Sequence, residues 1–221
     1  MSQAPQKSGR GCVFYGCLTL LILAVLGSLG AYFGVRYAVK SLVNRFTDDH
    51  PASIPKATIS ETDWTSLQQR LAQFNQALES GSGGEDLVLT PLEINSLIAR
   101  ENGLAFLKDR VFVNLDGSEI KARLSMPLDE LGLKGRYFNG SAGINLSLVD
   151  GVLSATLTAA EVKGMNIPAE FMEKLKKENL AKDAYKDPRN VEQIRKFQSI
   201  EVKDGRITIK ARPRQPAAVE R

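Results

Sequence analysis

The chain is poor in the residues that most often carry chemistry. It has one histidine, His50, and two cysteines, Cys12 and Cys17, in 221 residues. Because that single histidine lies in a linker, a histidine-dependent triad is not expected in the domain, and with no second histidine a histidine-rich metal site is excluded. With both cysteines before residue 18, the remainder can hold neither a disulfide framework nor a CxxC metal site. P-loop, GxGxxG and HExxH patterns are absent. Acidic residues are absent before Asp48, although Lys7, Arg10, Arg36, Lys40 and Arg45 all lie there. Those five bases account for the net charge of +4: with them set aside, 24 of the 29 bases remain against 25 acids. The bulk of the chain therefore has no electrostatic footprint for phosphate, and nucleic acid is not an expected partner.

The five bases flank one long apolar run. Between Arg10 and Arg36 the chain reads GCVFYGCLTLLILAVLGSLGAYFGV, without a charge. A bilayer crossing needs about 20 apolar residues, so a transmembrane helix is expected over 11–35, after a short basic tail. A cleavable signal peptide is the rival, with Ser28-Leu29-Gly30 as its cleavage site. The run exceeds the apolar core of such peptides and continues to Val35, which favours retention. Two bases before the span and three after it nearly tie the positive-inside rule, with a slight lean towards a cytoplasmic C-terminal side. A basic start followed directly by an apolar run is typical of a signal anchor, so the large domain is expected outside the cytoplasm.

Within the span, Ala24, Gly27, Ser28, Ala31 and Gly34 form a stripe of small residues, and Gly30 with Gly34 makes a close-approach pair. Such a stripe suits helix association, and a homodimer is the partner it suggests. Beyond the span, residues 35–46 keep a helical period, and Arg36, Lys40 and Arg45 are expected at the membrane surface among lipid headgroups.

Asp48, Asp49, Pro51 and Pro55 break this pattern and read as a linker, which with the preceding helix covers 36–60. His50 within it is expected to be solvated. Trp64, Leu67, Leu71, Phe74 and Leu78 then recur at spacings of 3 and 4, predicting a helix over 61–79 with one apolar stripe. The stripe serves either the chain's own core or a membrane-protein partner. Ser80-Gly81-Ser82-Gly83-Gly84 reads as a flexible joint that closes this segment at 84.

Residues 85–212 predict an α+β domain. Thr90-Pro91-Leu92-Glu93 is a capping box with proline at the first helical position, and Ile94, Leu97 and Ile98 form the helix's apolar face. The period then changes to two. Asp116-Gly117, Asp150-Gly151 and Asp204-Gly205 each separate alternating apolar runs, which predicts three hairpins in an antiparallel β-meander. Pro168 opens a helix expected over 168–179 with Phe171, Met172 and Leu175 inward, and Asp187-Pro188 opens a short one. Two or three helices are expected on one face of the sheet. The tail from Pro213 is expected to be disordered.

For chemistry there remain two carboxylate pairs, Asp129 with Glu130 and Glu170 with Glu173. Each lies at a turn or helix start, where acids serve capping, and no nucleophile is matched with a base. The expectation is a protein with no catalytic residue, metal or cofactor. Asn139-Gly140-Ser141 and Asn145-Leu146-Ser147 match the glycosylation pattern.

A membrane anchor, the capped helix LTPLEINSLIARENG, a β-meander, and a strand leading into VKGMNIPAEFMEKL follow one another. This order resembles the YpmS-like group of membrane-anchored extracytoplasmic bacterial proteins. The resemblance covers roughly 86–212 and implies a single-pass anchor with an exported domain. The group brings no assigned activity and no catalytic residues.

Overall fold

The computed structural model describes residues 37, 40–57 and 59–214. The chain divides into Met1–Phe46 and Thr47–Arg221. In the first part, residues 40–46 are helical and Lys40 and Arg45 are exposed, with the Arg45 guanidinium 5.8 Å from the centre of the Phe46 ring. The expected span at 11–35, its small-residue stripe and Arg36 lie outside the described residues. Among the described residues, no helix is long and apolar enough to cross a membrane.

The second part is α+β, built on an antiparallel sheet. Its strands are β1 (Leu87–Leu89), β2 (Val111–Asp116), β3 (Glu119–Pro127), β4 (Tyr137–Val149), β5 (Val152–Val162), β6 (Met165–Asn166), β7 (Phe197–Lys203) and β8 (Arg206–Ala211). The helices are α1 (Glu61–Ser80), α2 (Pro91–Arg100), α3 (Ala169–Leu175) and α4 (Pro188–Arg195).

The 13-residue strand β4 is the trunk of the sheet. Along one edge it pairs with β5 from Gly140 to Val149. On the other edge β3 takes the stretch from Tyr137 to Ile144, and β7 takes Ser147 and Leu148. The hairpins β2–β3 and β7–β8 therefore share one edge of β4, and β1 extends the second through β8. Their tips meet, where the Gly205 N–H donates to the Gly117 carbonyl at 3.1 Å.

The three predicted hairpins are present, with one difference in register. Asp150-Gly151 and Asp204-Gly205 are two-residue turns with both residues at positive φ, the combination that matches strand twist. At the first hairpin Asp116 instead pairs with Glu119, so Gly117 and Ser118 make the turn. A fourth two-residue turn, Lys163 and Gly164, folds β6 back onto β5. Lysine in place of Asp or Asn leaves that turn without its usual sequence signal.

Helix α1 starts where Ser60 accepts a hydrogen bond from the Asp63 N–H, and it ends at Gly81 with φ 65°. Its stripe faces inward. Leu67 (0% exposed) and Phe74 (6%) join Ile59, Leu87, Leu89 and Ala211 in one core, with Trp64, Leu71 and Leu78 packed against it. The Phe74 ring stacks 6.4 Å from that of Phe197 at the start of β7. Ser80-Gly81-Ser82-Gly83-Gly84 is therefore a connection within one core, and 61–84 is no separate unit. The turn is held from the far end of the chain, where the Arg214 N–H donates to the Gly81 carbonyl at 2.7 Å.

Helix α2 begins with the expected capping box at Thr90 and Glu93. Glu93 also meets Arg70 of α1, which donates to the Val88 carbonyl as well. Arg100 closes the other end of this helix pair, 4.9 Å over the Trp64 ring and 3.0 Å from Glu61.

Two other expectations are corrected. The helix from Pro168 stops at Leu175, and a 3-10 turn, Leu180–Lys186, takes over. Phe171 does not point inward. It is 60% exposed, whereas Met172 beside it is buried. A seven-residue helix has only a narrow buried side, and Met172 occupies it.

Candidate functional site

Residues 47–52, expected as a free linker, are strapped to the sheet. Asp48 forms an antiparallel bridge with Tyr137, exchanging backbone hydrogen bonds of 2.8 and 2.7 Å at the first residue of β4. Side chains from two hairpin loops close over this strap. From the β3–β4 loop, Arg136 donates through Nε to Thr47 Oγ1 (2.8 Å) and through Nη2 to the Thr47 carbonyl (2.7 Å). From the β5–β6 turn, Lys163 Nζ lies 3.0 Å from the Asp48 carboxylate. Thr47 is only 6% exposed, so this contact is part of the folded interior.

Asn139 is the hub. Its Nδ2 donates to Asp48 Oδ2 (2.8 Å) and to the His50 carbonyl (2.9 Å). Its Oδ1 accepts from the Ala52 N–H (3.0 Å) and from Ser125 Oγ (2.9 Å). Ser125 Oγ in turn accepts from the Ala52 N–H at 3.0 Å, and Ser125 is 3% exposed. A primary amide is needed because only it offers two donors and an acceptor in one plane. The first glycosylation motif is thus occupied: a glycan on Asn139 would replace one of these donors. Asn145 is exposed.

The electrostatics follow from this geometry. Burial acts to raise the Asp48 carboxyl. Hydrogen bonds from Lys163 and Asn139, with the charges of Lys163 and Arg136, outweigh burial and hold it below its ordinary 3.8. The neighbouring Asp49 is lowered by its hydrogen bond from exposed His50.

A second feature is a hollow of about 520 Å³ on the β2–β5 part of the sheet. It is lined by Phe112, Lys121, Arg123, Gly143, Ala159 and Glu161, among others. Arg123, Ser141 and Glu161 lie on neighbouring strands in one row, and Ser141 Oγ donates to Glu161 at 3.1 Å. Gly143 is required here, since a Cβ would collide with Thr158 Oγ1 and the Glu119 carboxylate, which are hydrogen bonded to each other.

Two asparagines bind strand edges at β2 and β5. Asn95 of α2, 5% exposed, donates to the Val113 carbonyl (2.6 Å) and accepts from the Val113 N–H (2.8 Å). Asn179 does the same for β5, donating to the Leu153 carbonyl and accepting from the Ala155 N–H, each at 2.9 Å. Each amide imitates the backbone of a further strand.

The carboxylate pairs are not brought into a shared site. Asp129 accepts from the Gly135 N–H at 3.0 Å and shapes its own loop, while Glu130, Glu170 and Glu173 are exposed. Among the described residues, no group of three or more His, Cys, Asp or Glu side chains is placed to hold a metal ion. The stripe Trp64, Leu67, Leu71, Phe74 and Leu78, a candidate partner face, is turned to the chain's own core. No protein family, curated protein or solved structure matches this chain.

Proposed function

We propose that this chain is a single-pass, membrane-anchored envelope protein without catalytic activity, whose extracytoplasmic domain is a binding or scaffold module. The strap at 47–52 carries the reading. The residues that follow the apolar segment and its helix are fixed to the sheet by Arg136, Asn139 and Lys163 rather than left as a free tether. Neither cofactor nor metal enters this reading. Kinship with the YpmS-like group belongs to the same proposal, supported by the capped helix and the β-meander.

The hollow over Gly143 and Ala159 is the surface we assign to a lipid or another apolar ligand, with Phe112 as its apolar wall. Reporter fusions at residue 221 test the topology: activity of an exported reporter supports it, and activity of a cytoplasmic reporter refutes it. Native mass spectrometry of the detergent-purified full chain tests the ligand. Copurified lipid that is lost in Gly143→Val supports the hollow, and a lipid-free chain refutes it.

The second reading is an interaction subunit of a membrane complex. With the α1 stripe buried, it rests on Ala24, Gly27, Ser28, Gly30, Ala31 and Gly34 of the span. Unchanged detergent-resistant association in Gly30→Ile with Gly34→Ile would end it.

A further inference from the structure

Four residues cross the hollow in one row on neighbouring strands: Phe112 of β2, Arg123 of β3, Ser141 of β4 and Glu161 of β5. Two of them carry opposite charges that are not spent on each other. Among the described residues, Arg123 forms no side-chain hydrogen bond and no ion pair. Glu161 accepts from Ser141 Oγ at 3.1 Å and meets no cation among the same residues. The other two charged groups of the lining are engaged, Lys121 by Asp116 and Glu119 by Thr158. The Arg123 and Glu161 Cα atoms stand two strand spacings apart, about 10 Å, with the small Ser141 between them. Gly143 and Ala159, in the adjoining row, add little bulk beside that gap.

We propose that this row holds the head group of a zwitterionic phospholipid with a primary ammonium, its phosphate on Arg123 and its ammonium on Glu161 and Ser141. This rests on the reading of the hollow as a lipid site and names the class of lipid. A guanidinium fork matches the oxygens of a phosphate, and a carboxylate beside a hydroxyl accepts hydrogen bonds from an ammonium. The order across the strands is also the order of groups in such a lipid. Its apolar body adjoins the phosphate, as Phe112 adjoins Arg123. Its ammonium lies at the far end of the head, as Glu161 lies at the far side of Ser141.

Charge decides between head groups. In the lining, Lys121 and Arg123 are balanced by Glu119 and Glu161, so nothing favours a head of net negative charge. A trimethylammonium head is disfavoured for a different reason. It has no N–H to donate to Glu161 or Ser141, and its recognition relies on aromatic faces. Phe112, the aromatic residue of the lining, stands at the Arg123 end of the row and not at the Glu161 end. An ethanolamine head meets both conditions, since it is neutral overall and its ammonium donates hydrogen bonds.

The test uses the full chain in detergent, stripped of lipid and offered an equimolar mixture of phosphatidylethanolamine, phosphatidylcholine and phosphatidylglycerol with identical acyl chains. Native mass spectrometry reads the lipid retained. Phosphatidylethanolamine is expected to be retained over each of the others by at least about tenfold, the scale of one charge-assisted hydrogen bond. Arg123→Gln and Glu161→Gln should each lower its retention by a similar factor. Glu201→Gln, an exposed acid of β7 on the same face and outside the hollow, should leave it unchanged. Arg123, Glu161 and Glu201 are all exposed, so the fold and the melting temperature stay those of the parent. Equal retention of the three lipids overturns the head-group assignment and leaves the hollow standing as a lipid site. A preference for phosphatidylglycerol that falls only in Arg123→Gln overturns it in favour of an anionic ligand. A preference for phosphatidylethanolamine that neither variant changes overturns it by placing the lipid outside this row. A parent chain that retains no lipid refutes the hollow as a lipid site and this assignment with it.

Discussion

Replacing Asn139 with alanine removes four hydrogen bonds at once, two given to Asp48 and the His50 carbonyl and two received from Ala52 and Ser125. A neutral hydrogen bond contributes about 1 kcal/mol net, and one to a carboxylate about 1.5–3 kcal/mol. The sum of about 5 kcal/mol overstates the loss, because Asn139 and Asp48 are only half-buried and water can take over some partners. Ser125 is 3% exposed and loses its acceptor outright, which keeps the cost from falling to zero. We expect about 2–3 kcal/mol of strap stability to be lost, equivalent to about 30- to 150-fold in its opening equilibrium. Hydrogen exchange followed residue by residue reads this directly. The Asp48 and Ala52 amides should exchange faster by that factor in Asn139→Ala, while amides in α1 stay protected. Asn145→Ala, on the same strand and exposed, should change neither. Protection at Asp48 and Ala52 that stays within threefold of the parent would show that the strap does not depend on Asn139.

Acid should loosen the same strap. The Asp48 carboxyl titrates below 3.8 in the folded protein, so its contribution is complete above the unfolded value and fades as pH falls through the lower folded one. Exchange at Asp48 should rise below about pH 4 in the parent and not in Asp48→Asn. Leu67→Ala, at a wholly buried site, should cost about 2–5 kcal/mol and lower the melting temperature by about 5–15 °C in detergent; a shift under 2 °C would contradict the buried stripe. Asn95→Ala leaves the Val113 N–H and carbonyl without their partner and Asn179→Ala does so for the Leu153 carbonyl and the Ala155 N–H, so each should cost about 2–3 kcal/mol in chemical denaturation. Asn95→Asp, which keeps the acceptor and loses the donor, should recover only part of the loss.

Period and punctuation carried most of the fold. Residues 61–79 were legible because Trp64, Leu67, Leu71, Phe74 and Leu78 keep a helical spacing. Thr90 to Glu93 and the Asp-Gly turns at 150 and 204 likewise announce themselves. What stayed hidden is long-range and polar. Nothing near Asp48 indicates that Tyr137, Asn139 and Lys163, some 90 to 115 residues away, will bind it. Asn139 resembled a glycosylation motif because local spacing cannot reveal a hydrogen-bond hub. Asn95 and Asn179 fall within expected helices and carry no signal of their own, since the strand edges they cover exist only in three dimensions. The exposure of Phe171 was missed for a related reason: a helical period says which residues share a face, not which of them the sheet will cover.

The mass of the chain recovered from carbonate-washed membranes tests the central claim most directly. An anchored protein remains with the membrane at the full 24.2 kDa of its 221 residues. A protein released in soluble form and shorter by about 30 residues would show that the apolar segment is a cleaved signal, and would contradict the account.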